Sequence, residues 1–313
     1  MICVTISLYS LAHELGATEA KEEFESQLKK PTRESLPVVR TLARLKGLDD
    51  LVLSIDTGSG TVGKMRSRQA IAAADSGADI WISIDDDIEA TFETLTALVE
   101  AVRGRCAVCM APYWLRAGLP PEPSAEKGQE PKPISVVSVA MPSETPSRTL
   151  EQAGARIFKA QAGGFGLVAM SRPALEATLK ANAHLRYLDD DGVERIALFY
   201  EVLERGRWWG EDMSFFYRLP PEVEVEALGT GHVAHAGEVL NLSQLELCPR
   251  MGVTDDFRPA PTPAPAADVG DGIIEAEQLG PEPPKPLLEE VTNPEGHTLH
   301  HAPDADVGDE TAP

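Results

Sequence analysis

No run of about eighteen apolar residues occurs in this sequence, so no transmembrane helix is expected. The opening stretch MICVTISLYSLA is apolar, but it has no basic start and no small-residue cleavage site. A secretory leader is therefore not expected. Cysteine is scarce, with only Cys3, Cys106, Cys109 and Cys248. Cys106 and Cys109 form the one close pair, and no second pair completes the four ligands of a structural zinc site. Buried free thiols in a reducing cytoplasm are the expectation. Basic charge is in deficit, with 28 Lys and Arg against 50 Asp and Glu and a net charge of −22. Such a chain is a poor match for a phosphate backbone, so nucleic acid is not expected as a partner. What is present in quantity, 42% apolar residues in a chain of 313, can bury one large core or two modest ones.

Charge and composition divide the chain. From residue 251 onward, only Arg258 and Lys285 oppose 14 acidic residues. Proline and alanine dominate there, as in RPAPTPAPAADVG, and no amphipathic period survives. Such a segment buries too little apolar surface to offset chain entropy, so residues 251–313 are expected to be a disordered tail. GHTLHH within it holds three of the seven histidines and is read as solvated. Residues 1–250 read as a folded domain. ICVTISLY, DLVLSID, ADIWISI and RCAVCMAPYW have strand character. Between them, RESLPVVRTLARLK, GKMRSRQAIAAADSG and TFETLTALVEAVRG have helical character. The last has Phe92, Leu95, Val99 and Val102 on one face, Thr91 as N-cap and Gly104 as stop. ADIWISI is apolar on both faces, as a central parallel strand should be. This alternation predicts an α/β fold with a mostly parallel sheet flanked by helices.

Residues 116–157 interrupt the pattern with a proline-rich, charged excursion, expected to hold a short hairpin around ISVVSVA. Loops of this length often serve as lids or binding segments. After it, AGGFGLVAMSRPALEATL returns to strand and helix, WWGEDMSFFYRL begins another helix, and VEVEALGTGHVAHAG is a late strand with its loop.

The unusual feature is WISIDDDIEA, residues 81–90, where three aspartates follow an apolar strand. Either bulk water or a bound cation must make that crowding tolerable. Ligands of open α/β sheets bind beyond the carboxyl ends of the strands, where this run sits. In extended backbone residues i and i+2 point the same way, so Asp85 and Asp87 can converge while Asp86 faces away. Two carboxylates suit Mg²⁺ or Mn²⁺, whose other partners are often phosphate oxygens and water. The competing reading is an acidic approach to the helix near Thr91, favoured by its dipole. A second run, LDDDGVER, has three aspartates at 189–191 but no buried strand before it. Its Asp-Gly step reads as a tight turn in an exposed loop, without metal.

The order of these motifs resembles glycosyltransferases of the GT-A type, in the style of their large family-2-like group, over roughly residues 2–240. The carriers are LSIDTGSG, RSRQAIAAA, WISIDDDI with its Asp-x-Asp, GGFGLVAMSRPALE, GEDMSFFYRL and GTGHVAHAG. The resemblance implies a Rossmann-like mixed, mostly parallel sheet and a nucleoside diphosphate sugar as donor. It implies nucleotide-binding roles for Thr5, Ser7, Asp56, Ser59, Arg68, Asp85 and Asp86, with Arg68 on the diphosphate or on the DDD loop. The metal, Mn²⁺ or Mg²⁺, would lie on Asp85 and Asp87, with His235 preferred over His232 as a further ligand. Asp212 would be the general base, Glu211 sharing the role, and Trp208 and Trp209 would stack on the acceptor. Three rivals stay open. A sugar nucleotidyltransferase would need a glycine-rich phosphate loop that SLYSLAHELGA does not supply. An Asp-x-Asp phosphatase would need Thr or Val where Glu89 stands. A non-catalytic nucleotide- or sugar-binding protein is compatible with the same residues.

Overall fold

The computed structural model describes residues 1–45, 51–57, 61–114, 137–140, 145–151, 154–204, 207–235, 238–242, 250–251, 291–292 and 298–299. The chain forms two compact units, Met1–Thr262 and Pro263–Pro313. In the second unit the described residues are the short antiparallel pair Val291–Thr292 and Thr298–Leu299. The rest of the expected acidic tail, most of the 116–157 excursion, Ser59 and Cys248 lie outside the described residues.

The first unit begins with β1 (Ile2–Ser7), α1 (Tyr9–Leu15), α2 (Ala17–Lys29) and α3 (Pro37–Leu45). It continues through β2 (Leu51–Asp56), α4 (Val62–Asp75), β3 (Ile80–Asp85), β4 (Ile88–Ala90) and α5 (Phe92–Val102). Then come β5 (Ala107–Met110), β6 (Val137–Ala140), β7 (Arg148–Thr149), β8 (Arg156–Lys159), β9 (Ala162–Gly163), β10 (Leu167–Ser171) and α6 (Arg172–Ala181). Two hairpins follow, β11 (Arg186–Leu188) with β12 (Glu194–Ile196), and β13 (Val202–Glu204) with β14 (Arg207–Trp209). Next are α7 (Glu211–Tyr217), β15 (Glu224–Leu228), β16 (His232–His235), β17 (Glu238–Asn241) and β18 (Arg250–Met251).

The architecture is α/β. Eight strands form the main sheet in the order β2-β1-β3-β10-β5-β15-β8-β7. β2, β1, β3, β5 and β15 run one way, with parallel pairs β1–β2, β1–β3 and β5–β15. β10 lies antiparallel between β3 and β5, which makes the sheet mixed. β1 and β10 are buried along their whole length, and β3 is buried up to Asp85. Continuous apolar runs of this kind mark strands covered on both faces. The shared register sets Asp56, Ser7 and Asp85 side by side at the carboxyl ends of β2, β1 and β3.

Local chemistry fixes the helix ends. The Thr91 hydroxyl accepts from the Thr94 amide at the start of α5, and Ser171 does the same for Ala174 at α6. These caps satisfy amide donors the helices leave open. Gly104 follows α5 at φ +70°. Phe92, however, is 45% exposed and lies off the buried face, which carries Leu95, Leu98, Val99 and Val102.

Several elements differ from the sequence reading. Of the segment ISVVSVA, where a hairpin was expected, residues 137–140 are described; as β6 they pair with β9 and β18. The late strand is two strands. Gly231, at φ +98° with Thr94 Oγ1 where a Cβ would stand, lets the chain leave β15 and re-enter as β16. β16 then pairs with β4 and β17 in a separate small sheet. Trp208 and Trp209 belong to β14 and not to the helix that follows. α1 and α2 have no counterpart in the sequence reading, because α2 buries only Ala20 and Phe24.

At the far side of the sheet Glu226 of β15, with a side chain 4% exposed, accepts from Arg105 Nη1 at 2.7 Å and from Arg148 Nη2 at 2.6 Å. Both arginines also reach the Ala101 carbonyl, which ties β7 to the end of α5. Removing one partner of a buried ion pair costs about 3–5 kcal/mol. Glu226→Leu strands two arginines and should lower the melting temperature by about 10 °C in thermal unfolding.

Candidate functional site

The aspartate run does not continue β3 in extended form. β3 ends at Asp85, the chain turns at Asp86 and Asp87, and β4 leaves from Ile88. The expected i, i+2 convergence of Asp85 and Asp87 therefore does not arise from strand alternation. Backbone bonds hold the turn: Asp85 N donates to the Gly166 carbonyl (2.9 Å) and Asp86 N to the Ser7 carbonyl (3.1 Å). The Asp86 carboxylate is buried and accepts from Leu11 N at 2.9 Å, in the first turn of α1. Beyond the turn, Glu89 is clasped by Arg40 (2.8 Å) and Arg44 (2.6 Å) of α3.

All three aspartates line a cavity of about 280 Å³, together with Ser7, Tyr9, Val62, Arg66, Tyr113, Glu211 and His235. Its electrostatic centre is Arg66 of α4, only 4% exposed. Arg66 Nη2 reaches Asp85 Oδ2 at 2.8 Å, and Nη1 reaches Glu211 Oε1 at 3.3 Å and also Asp212 Oδ1. The guanidinium lies 5.6 Å from the centre of the Phe165 ring. Phe165 packs in turn on Trp81, Phe199, Phe215 and Phe216. The aromatic floor thus shields the guanidinium from water, while the side chains of Asp85, Glu211 and Asp212 stay partly accessible, at 24%, 30% and 23%.

Three acids around one buried base leave negative charge in excess at this end of the cavity. Burial pushes the Asp85 carboxyl up, against the pull of Arg66. Burial likewise raises Asp212 to about 6, opposed by Arg66 and assisted by Glu211 and Asp85. Asp85 Oδ1 and Arg66 Nε are buried without a hydrogen-bond partner among the described residues. The Tyr113 hydroxyl accepts from Gly166 N at 3.2 Å, and burial holds it in the phenol form.

His235 reaches the same cavity from β16. Its Nδ1 lies 2.7 Å from the Trp114 carbonyl oxygen. A carbonyl can only accept, so Nδ1 carries a proton, and Nε2 faces Asp87 either as a second N–H or as a lone pair. Nε2 lies 3.3 Å from Asp87 Oδ2. A lone pair facing a carboxylate oxygen needs a cation between them, either a proton or a metal. An imidazole whose other nitrogen donates to a carbonyl is the usual arrangement of a metal-ligating histidine. Among the described residues no three His, Cys, Asp or Glu side chains form a metal-holding group. Asp87 and His235 nevertheless fit a Mg²⁺ or Mn²⁺ site of the kind completed by water and substrate phosphate.

Other expected site residues lie elsewhere. Thr5 is fully buried, accepts from Trp81 Nε1 at 2.8 Å and faces Gln69, so it is core rather than pocket lining. Ser7 is buried too, yet it lines the cavity and bonds Gln69. Arg68 does not approach the DDD turn: it grips Asp56 through two bonds of 3.0 Å and lies 3.4 Å from Asp189. The residue that orders Asp85 is Arg66, two places earlier on the opposite face of α4. Asp189 is not exposed; its side chain, 2% accessible, also pairs with Arg195 at 2.9 Å. His232 is exposed, and its backbone is tied to Thr94. Trp208 is 66% exposed, whereas Trp209 packs against the core. Cys3 and Cys109 are free and buried.

The sequence reading missed Arg66, Tyr9, Tyr113 and Phe165. A signal existed for Arg66. It shares the stripe of Val62, Gln69, Ala70 and Ala73 on α4, the helix face that turns inward. A second cavity of about 650 Å³ adjoins the first and shares Tyr9, Val62 and Glu211 with it. Tyr187, Phe199, Tyr200 and Lys64 line its remainder.

No family model matches the chain, and no curated protein matches it. Similar solved structures include A197 from STIV, at 13% identity and TM-score 0.39, over 77% of this chain and 93% of that one. HddC from Yersinia pseudotuberculosis is similar at 10% identity and TM-score 0.33, over 76% of this chain and 94% of that one. TarS from S. aureus, residues 1–349, is similar at 14% identity and TM-score 0.27, over 72% of this chain and 57% of that one. All three TM-scores lie below 0.5, so the chemistry has to be read from the side chains of this chain.

The raised carboxyl gives a test by pH. A proton held more tightly in the folded state adds stability below pH ~4, and that stability is lost as pH rises through about 6. Asp212→Asn mimics the protonated form at every pH. The variant should melt a few degrees above the parent at pH 7.5, with the difference closing by pH ~4.

Proposed function

We propose that this chain transfers a sugar from a nucleoside diphosphate donor to an acceptor hydroxyl, as a metal-dependent enzyme of the GT-A type. The observation that carries the reading is the pairing of Asp87 with His235 Nε2 at 3.3 Å, on the wall of a cavity at the carboxyl edge of the sheet. Asp87 and His235 would hold Mn²⁺ or Mg²⁺. When bound, such an ion offsets the charge that grows on a departing diphosphate.

The chain's own residues have separable tasks in this reading. Arg66 neutralises Asp85 and fixes the end of β3. Asp86 ties the turn to α1 through Leu11, and the Arg40–Glu89–Arg44 clasp fixes it from β4. The donor diphosphate and sugar occupy the acidic cavity. A carboxylate at the start of α7, Glu211 or Asp212, takes the acceptor proton. Attack in line with the departing diphosphate inverts the anomeric carbon. Trp208, exposed on its ribbon, is a stacking surface for the acceptor; Trp209 is not. Asp56 and Arg68 satisfy one another and support the β11–β12 hairpin through Asp189.

Thermal-shift measurement against nucleoside diphosphates, with and without Mn²⁺, tests this reading. Ligand at about 100 times its Kd stabilises by about 2.7 kcal/mol, or roughly 5–10 °C here. The rise should need both metal and nucleotide, and Asp87→Ala or His235→Ala should remove its metal-dependent part. Metal-independent stabilisation would point to a nucleotide-binding protein without turnover. No stabilisation by any nucleotide would contradict the reading.

A further inference from the structure

Two adjacent carboxylates begin α7, and their surroundings differ. Asp212 has both oxygens engaged: Oδ1 with Arg66, and Oδ2 with the Phe165 amide at 3.0 Å. It lines neither cavity. Glu211 lines both. Its Oε1 meets Arg66 at a longer 3.3 Å, and its Oε2 has no hydrogen-bond partner among the described residues. Glu211 thus stands between the acidic cavity, which would take a donor diphosphate once a divalent cation is bound, and the tyrosine-lined cavity beside it. A base must lie within hydrogen-bond reach of the proton it removes. Asp212 is turned back onto Arg66 and Phe165 and lines neither cavity.

We propose that Glu211 is the general base and that Asp212 is a positioning residue, which holds Arg66 and the Phe165 loop so that Glu211 faces the reacting atoms. The inference rests on the sugar-transfer reading. In the step, the acceptor oxygen forms a bond to the anomeric carbon while its proton passes to Glu211 Oε2. The bond from the anomeric carbon to the diphosphate oxygen breaks, and its electron pair leaves with the diphosphate.

Isosteric amides separate the two roles, since an amide accepts a hydrogen bond but cannot take the proton. The test compares the full chain with Glu211→Gln, Glu211→Asp and Asp212→Asn. The assay supplies Mn²⁺ and a panel of nucleoside diphosphate sugars, with water as acceptor, and measures released nucleoside diphosphate. Calorimetric titration with the nucleoside diphosphate reports donor-site integrity. Glu211→Gln should slow release at least about 100-fold with binding unchanged. Glu211→Asp should recover part of the rate, and Asp212→Asn should stay within about tenfold of the parent. If Asp212→Asn abolishes release with binding intact, or Glu211→Gln retains it, the assignment fails while the sugar-transfer reading stands. If the unaltered chain releases nothing from any donor, the sugar-transfer reading fails and the assignment with it.

Discussion

A guanidinium shut away from water among three carboxylates is the constraint on which the rest of the site depends. Arg66 joins α4 to the end of β3 through Asp85 and to the start of α7 through Glu211 and Asp212. α7 is distant in sequence from the other two, and without Arg66 its acids and Asp85 would repel one another. Phe165 and its aromatic neighbours fill the space behind the guanidinium. Burial raises the carboxyls of Asp85 and Asp212 against the pull of Arg66, and the neighbouring acids add to the rise. Shifts of this kind lower stability and are common where a fold reserves charge for a ligand.

Outside that inner cluster the acids are handled one at a time. Asp86 is spent on α1, Glu89 on α3, and Asp189 on Arg68 and Arg195. Asp87 instead faces a histidine whose Nδ1 proton is held by a backbone carbonyl. The DDD run therefore does three different jobs with three identical side chains. Backbone direction at the turn, rather than residue type, decides which job each one has.

Much of the scaffold was legible because buried strands leave a local mark. The runs in β1, β3 and β10 are mostly apolar, and the threonine and serine caps of α5 and α6 precede their helices at the expected spacing. The polar helices α1 and α2 leave little such mark, and β16 departs from β15 only because Gly231 can take a left-handed turn. Within the site, the resemblance read from the sequence pointed to loops that the structure gathers around one cavity, and to some side chains that lie away from it. RSRQ offers two arginines that point to opposite sides of α4, so Arg68 and Arg66 are told apart only by the inward stripe. Thr5 and Ser7 alternate on one strand face, yet one ends beneath Trp81 and the other at the rim. His232 and His235 fall on opposite faces of β16. Which of them meets Asp87 is set by pairing with β4, a contact between residues more than a hundred positions apart.

The central claim is that the inner acids already have their cation, so a metal belongs one step outward. Anomalous scattering from crystals grown with Mn²⁺ and a nucleoside diphosphate tests it directly. The account predicts one manganese peak bridging Asp87 and Nε2 of His235, with Arg66 still seated on Asp85 and Asp212. A peak among Asp85, Glu211 and Asp212, with Arg66 swung away, would contradict it.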